Sequence, residues 1–322
     1  MTRLNDISKW VSSHCDAAQP DSARCVGSGA KESPARSSSQ HETWPETFIN
    51  PRDGSTMRLV PAGEFRMGST PQDVDSARNM DEDGATFELV EETPQFDLFV
   101  PSFYIGIFAV TNEQFARFLS ERQPSSALFD LWVYTVARVA KPVREGEPYR
   151  AEPGFERHPA IHVTWFGADA YCRWAKLRLP TEIEWEKAAR GADARLFPWG
   201  NEWHNDFLRS HRGERGEPTA PVNAYPQGRS PYGAFQMAGN VAEWCEDWYQ
   251  PNAYMDHALG NRRPPPSGNE RVLRGGTCAQ RRKLEFRCAM RQSSTPVFLT
   301  VDFTGIRCAC DLPVLVSSNE RT

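Results

Sequence analysis

The sequence predicts a mixed α and β fold rich in irregular loops, and three observations carry that expectation. Two helices with clear start signals follow one another between Thr164 and Gly191. Short strand-like apolar runs lie in Met57–Gly68 and Phe96–Val110. Punctuation is dense, with 25 Pro and 22 Gly in 322 residues. Hydrophobic residues make up only 39%, but ten Trp and 18 Phe offer large buried surfaces, so an aromatic core wrapped by loops is expected.

Taken in order, residues 1 to 45 carry the Gly/Ser/Pro-rich stretch GSGAKESPARSSSQ, which cannot bury enough surface to order itself, and are read as a flexible leader before a domain over 46–322. Met57–Gly68 reads as a hairpin turned at Pro61-Ala62-Gly63. The acid-rich stretch Gln72–Glu92 reads as an exposed loop, since its carboxylates lack the alternation and central Gly of a calcium loop. Phe96–Val110 holds two strand-like runs broken at Pro101, and Thr111 caps a helix with Gln114 at the capping-box position and Phe115, Phe118 and Leu119 inward. In 123–157, Trp132, Tyr134, Tyr149 and Phe155 are assigned mostly to packing. His158 and His162 are four apart, but Pro159 and β-branched neighbours make the segment extended, where that spacing does not suit a shared metal.

In Thr164–Lys176 the residues Ala168, Tyr171, Cys172 and Ala175 repeat at spacings of three and four, marking a buried helix face. The next helix is sharper. Pro180 precedes a Thr181 N-cap, Glu184 completes the capping box, and Gly191 ends the element.

The blocks HVTWFGADAYCRWAKLRLPTEIEWEKAARG, FPWGNEW, MAGNVAEW, RVLRGG and GIRCA, in this order from about Met57 to Asp311, resemble the formylglycine-generating-enzyme/sulfatase-modifying-factor superfamily. The resemblance implies an α+β, C-type-lectin-like domain with little regular secondary structure. It makes His158 and His162 structural. It also implies two structural calcium sites: one drawing on Asn205 and Glu214, the other on the side chain of Gln236, the carbonyls of Gly239 and Val241, and the Glu243 carboxylate. Gln236 departs from the Asn or Asp usual there, which keeps an oxygen but lengthens the arm.

Formylglycine-generating members bind copper(I) with two Cys, five residues apart, shortly after the RGG motif; soft thiolates suit a soft ion. Here the positions counted forward from Gly276 are Gln280 and Glu285, and those counted back from the Arg287 block are Cys278 and Lys283. Neither count gives two thiols. Ala242 and Cys278 stand where the family usually has Trp, so a cavity or a refilled space is expected near Ala242, Gln280 and Arg281, the residues assigned to substrate binding. Cys278 is the candidate catalytic residue: Arg281, Arg282 and Lys283 follow it and would favour a thiolate, while the competing reading is a small packing side chain. Copper or iron there, with structural Ca²⁺ elsewhere, are the cofactors this scheme implies.

The net charge of −5 shows no dense basic block and argues against nucleic acid. The N-terminus lacks the apolar core of a secretory signal and no apolar run is long enough to span a bilayer, so a soluble cytoplasmic protein is expected. Eight Cys in 322 residues is not disulfide-scaffold density. Three readings of function stay open: an oxygen-dependent oxidoreductase acting on a peptide or specialised metabolite, a noncatalytic binding module, and an atypical formylglycine-generating enzyme using Cys278 with a remote thiol.

Overall fold

A computed structural model describes residues 44–81, 89–134, 139–140, 146–211, 219–261, 263–297, 301 and 303–312. The expected leader falls almost wholly outside them. The strands are short and gather into two four-stranded sheets. The first runs β1 (Thr47–Ile49), β2 (Thr56–Val60), β5 (Phe103–Gly106), β12 (Ala309–Asp311), all antiparallel. The second runs β10 (Gln292–Ser294), β9 (Arg271–Arg274), β8 (Ala242–Trp248), β11 (Thr304–Gly305), with β11 parallel to β8. Two ribbons complete the strands: β3 (Gly63–Met67) with β4 (Phe96–Val100), and β6 (Val139–Ala140) with β7 (Arg150–Ala151).

This pairing corrects the hairpin expected at Met57–Gly68. Both strands exist, but β2 hydrogen-bonds to β5 whereas β3 pairs with β4, so the chain changes sheets at Pro61-Ala62. Proline has no N–H to continue a ladder. The acidic stretch also needs correction. Pro71–Arg78 is a helix, α1, because Thr70 and Asp73 form a reciprocal capping box that the acid count concealed. Nor are Asp81 and Glu92 free. Asp81 accepts the N–H groups of Lys283 and Leu284, and the 1% exposed Glu92 takes Arg287 through both oxygens at 2.7 and 3.1 Å.

The helices follow the sequence closely. α2 (Asn112–Arg122) starts at the Thr111/Gln114 capping box and buries Phe115, Phe118 and Leu119 completely. α3 (Ser126–Trp132) lies in the variable stretch, where Trp132 packs on Phe118 with centroids 5.0 Å apart and Tyr149 stacks on Phe129 at 5.7 Å. α4 (Trp165–Trp174) buries Ala168, Tyr171 and Cys172, and its C-cap Ala175 with them. α5 (Glu182–Arg190) has Thr181 as N-cap with Glu184 bonded back, and ends at Gly191 with φ of 73°. α6 (Ala253–Ala258) is the last of the described α-helices.

Strand β8 divides the interior. Alternation along it sends Ala242 and Trp244 into a core with α2 and α4, while Cys245 enters a second core with Trp185, Met237 and Tyr254. No described helix is long and apolar enough to cross a membrane.

Candidate functional site

The candidate region is built by β8, the end of β9, the Gly275-Gly276 turn and the loop 277–286. Both glycines have positive φ, 96° and 72°, and a Cβ on Gly275 would press the Trp185 ring at 3.1 Å, so the turn needs glycine twice over. Beneath it lies an unusually charged core. α5 turns Glu182, Glu186 and Arg190 inward, and Arg274 and Arg291 meet them: Arg274 reaches Glu186, and Arg291 grips Glu182 through both oxygens at 2.7 and 3.0 Å. Burial alone would raise the Glu182 pKa, but Arg291 and Arg274 hold it below the ordinary carboxylate value. Asp247 accepts the Glu182 N–H at 2.6 Å, which favours its charged form but does not outweigh burial. Burial, then repulsion from Glu182, pushes it up to about 7.

Glu243 shows how completely such groups are used. It is 1% exposed; Arg307 Nη2 donates to its Oε1 at 2.7 Å, while Arg307 Nε at 2.8 Å and Trp185 Nε1 at 2.7 Å donate to its Oε2. Arg307 spends its remaining N–H groups on the carbonyls of Gly106, Ile107 and Phe235. The Gln236 oxygen accepts from Asn240 at 2.5 Å and its amide nitrogen donates to the carbonyls of Pro221 and Ala224. The Gly239 carbonyl accepts the Val241 N–H, and Val241 itself packs with Ala109, Ile161 and Val222. Calcium takes six to eight oxygens. Of the donors implied for it, the Gln236 oxygen, the Gly239 carbonyl and the Glu243 carboxylate are already engaged by protein groups, and Glu243 is already neutralised by a guanidinium. At the other implied site, Asn205 is exposed and accepts from Trp203 Nε1 at 2.7 Å, while Glu214 lies outside the described residues.

The loop expected to carry chemistry is closed by its own polar groups. Gln280 Oε1 accepts the Thr277 N–H at 2.7 Å, and Glu285 Oε2 accepts the N–H groups of Arg281 and Arg282 at 3.2 and 2.8 Å. The two positions that follow from the forward count therefore cap the loop. Arg281 is exposed and reaches His211 at 2.5 Å. Cys278 is 5% exposed, with its N–H on the Asn240 carbonyl. Ala242 is fully buried among Trp244, Leu273 and Ile306.

Other thiols are poor candidates for thiolates. Burial pushes Cys288 up to about 12 and Cys310 to about 11, and Cys245 well above its ordinary value. Cys172 and Cys308 share a buried contact of 3.4 Å between sulfurs, and that contact, with burial, raises Cys308 as well. Among the described residues no three His, Cys, Asp or Glu side chains gather as a metal-ligand group. His158 is likewise held in the fold, Nδ1 to Thr219 at 2.9 Å, and His162 lies against Phe303.

Sequence reasoning missed Arg307 and Trp185 as partners of Glu243. A signal was present. An arginine inside Gly305-Ile306-Arg307-Cys308-Ala309, among apolar neighbours, has to be buried and therefore paired.

Residues 44–312 match the model of the sulfatase-modifying factor enzyme 1-like domain. The serine/threonine-protein kinase Pkn1 of Chlamydia caviae is 39% identical over 224 residues, 68% of this chain and 34% of the kinase, so the chain spans about a third of that relative. The formylglycine-generating enzyme of Streptomyces coelicolor is 35% identical over 307 residues, covering 83% of this chain and 93% of that enzyme. Among solved structures, PvdO from Pseudomonas aeruginosa superposes with a TM-score of 0.63 at 23% identity, covering 84% of this chain and all of that one, a likeness of fold. Motif order and extent of match together place the chain in the formylglycine-generating-enzyme/sulfatase-modifying-factor family, with its C-type-lectin-like α+β fold.

Proposed function

We propose that this domain is a noncatalytic recognition module for a peptide or small molecule, built on the family scaffold. One observation carries the reading: Gln280 and Glu285, at the forward-counted positions of the family's thiol pair, are consumed in capping the loop that displays them. The backward count gives Cys278 and Lys283, a single sulfur. The likeness to a segment of Pkn1 supports it, since there a similar domain forms part of a longer chain. The test is dioxygen uptake by the full chain with copper(I) or iron(II), a reductant and a cysteine-containing peptide. The reading expects uptake no faster than metal and peptide alone; protein-dependent uptake overturns it.

A second reading, an oxygen-dependent oxidoreductase acting on a peptide or metabolite, is favoured by the 35% identity to a formylglycine-generating enzyme over nearly that enzyme's whole length. It requires Cys278 to act with a remote thiol. The same uptake measurement on Cys278→Ser decides it, because lost uptake with an unchanged melting temperature would make Cys278 catalytic.

A further inference from the structure

A cavity of about 310 Å³ opens where the turn before β2, the end of β5, the start of α2 and the residues Arg157 and Val222 meet. That volume is at the small end of ligand pockets, about 300 to 1,000 Å³. It involves neither the loop 277–286 nor the Glu243 pair.

Its lining is partitioned. Phe108, Val110, Val222 and the Cys308 side of the wall are apolar, whereas Glu113, Arg117 and Arg157 supply charge. These three are exposed, and none has a side-chain hydrogen bond or ion pair within the described residues, although Glu113 and Arg117 are one helical turn apart. Glu–Arg pairs at that spacing commonly close on each other. Deeper, Asp53 is 1% exposed and accepts from Asn50, Ser55 and Tyr171, with no cationic partner among the described residues. The cavity thus offers two guanidinium groups, one uncommitted carboxylate and a buried second one, beside an apolar wall.

We infer that this cavity binds a small zwitterion, an α-amino acid with an apolar side chain. The guanidinium groups of Arg117 and Arg157 take the carboxylate, since arginine forks match carboxylate geometry. Glu113 takes the ammonium, and the side chain lies on Phe108, Val110 and Val222. This does not depend on whether the loop 277–286 is catalytic, so its failure leaves the recognition-module reading standing.

The test is calorimetric titration of the full chain with L-phenylalanine, 3-phenylpropionate, which lacks the ammonium, and phenethylamine, which lacks the carboxylate. L-Phenylalanine binds best of the three. Arg157→Ala and Arg117→Ala each weaken it about tenfold or more, the scale of a lost charge-assisted hydrogen bond. Glu113→Gln erases the preference for phenylalanine over 3-phenylpropionate. Because these side chains are exposed, the variants keep the wild-type melting temperature. No binding of L-phenylalanine by the wild type, or binding that survives both arginine substitutions, overturns the inference.

Discussion

Asp247→Asn should make the domain more stable at neutral and alkaline pH than at acid pH, relative to wild type. The carboxyl sits beside Glu182, which Arg291 and Arg274 keep ionised, and burial plus that repulsion move it from 3.8 to about 7. The folded chain therefore holds this proton more tightly than the unfolded chain. Between pH 3.8 and about 7 the folded state binds more protons, so the side chain's contribution falls as pH rises and the full penalty is present above 7. Raising this carboxyl from 3.8 to about 7 corresponds to a ceiling of about 4 kcal/mol. Asp247 keeps partial access to solvent, which screens the repulsion, so a gain of about 1–2 kcal/mol is expected. Asparagine retains an oxygen for the Glu182 N–H and loses only the charge. Urea unfolding of both proteins at intervals from pH 4 to pH 8 measures the difference, which should grow with pH in favour of the variant. A difference that stays flat across that window would refute the reasoning.

Glu243→Ala should cost about 3–5 kcal/mol, because it strands the Arg307 guanidinium in the core, and the loss read by thermal melting should be the same with calcium or with chelator. A wild-type melting temperature that climbs with added calcium would contradict the closed Glu243 pair. Burial lowers Lys187 from 10.5 to about 8 while its ammonium donates to the carbonyls of Pro61, Gly63 and Val100. Between those two values the unfolded chain binds more protons, so wild type should gain stability relative to Lys187→Met as pH rises through the window; a parallel pair of curves would sink this. Mild oxidation should join Cys172 to Cys308, whose sulfurs already touch, giving a cross-linked peptide by mass spectrometry; recovery of both as alkylatable thiols after denaturation would count against it.

Local elements were legible because their causes are local. The three capping boxes starting α1, α2 and α5 each rest on residues three apart, and two of them were read from sequence; the first, Thr70 with Asp73, was hidden because its acids were counted as loop charge. Strand partners were not legible. Whether β2 joins β3 or β5 depends on surfaces about forty residues apart, and nothing in the run around Pro61 decides between them. The site divides the same way. The lack of a second thiol near Cys278 could be counted along the chain, but the occupation of Glu243 by Arg307 joins residues 64 positions apart. That distance hid the partner of Glu243.

Loop 277–286 is held by its own hydrogen bonds and not arranged to hold a soft metal. Competition of the reduced protein with a chromogenic copper(I) chelator measures this most directly. The expected result is that the chelator keeps all the copper, with Cys278→Ser indistinguishable from wild type. A one-to-one copper(I) complex that withstands the chelator and disappears in Cys278→Ser would contradict it.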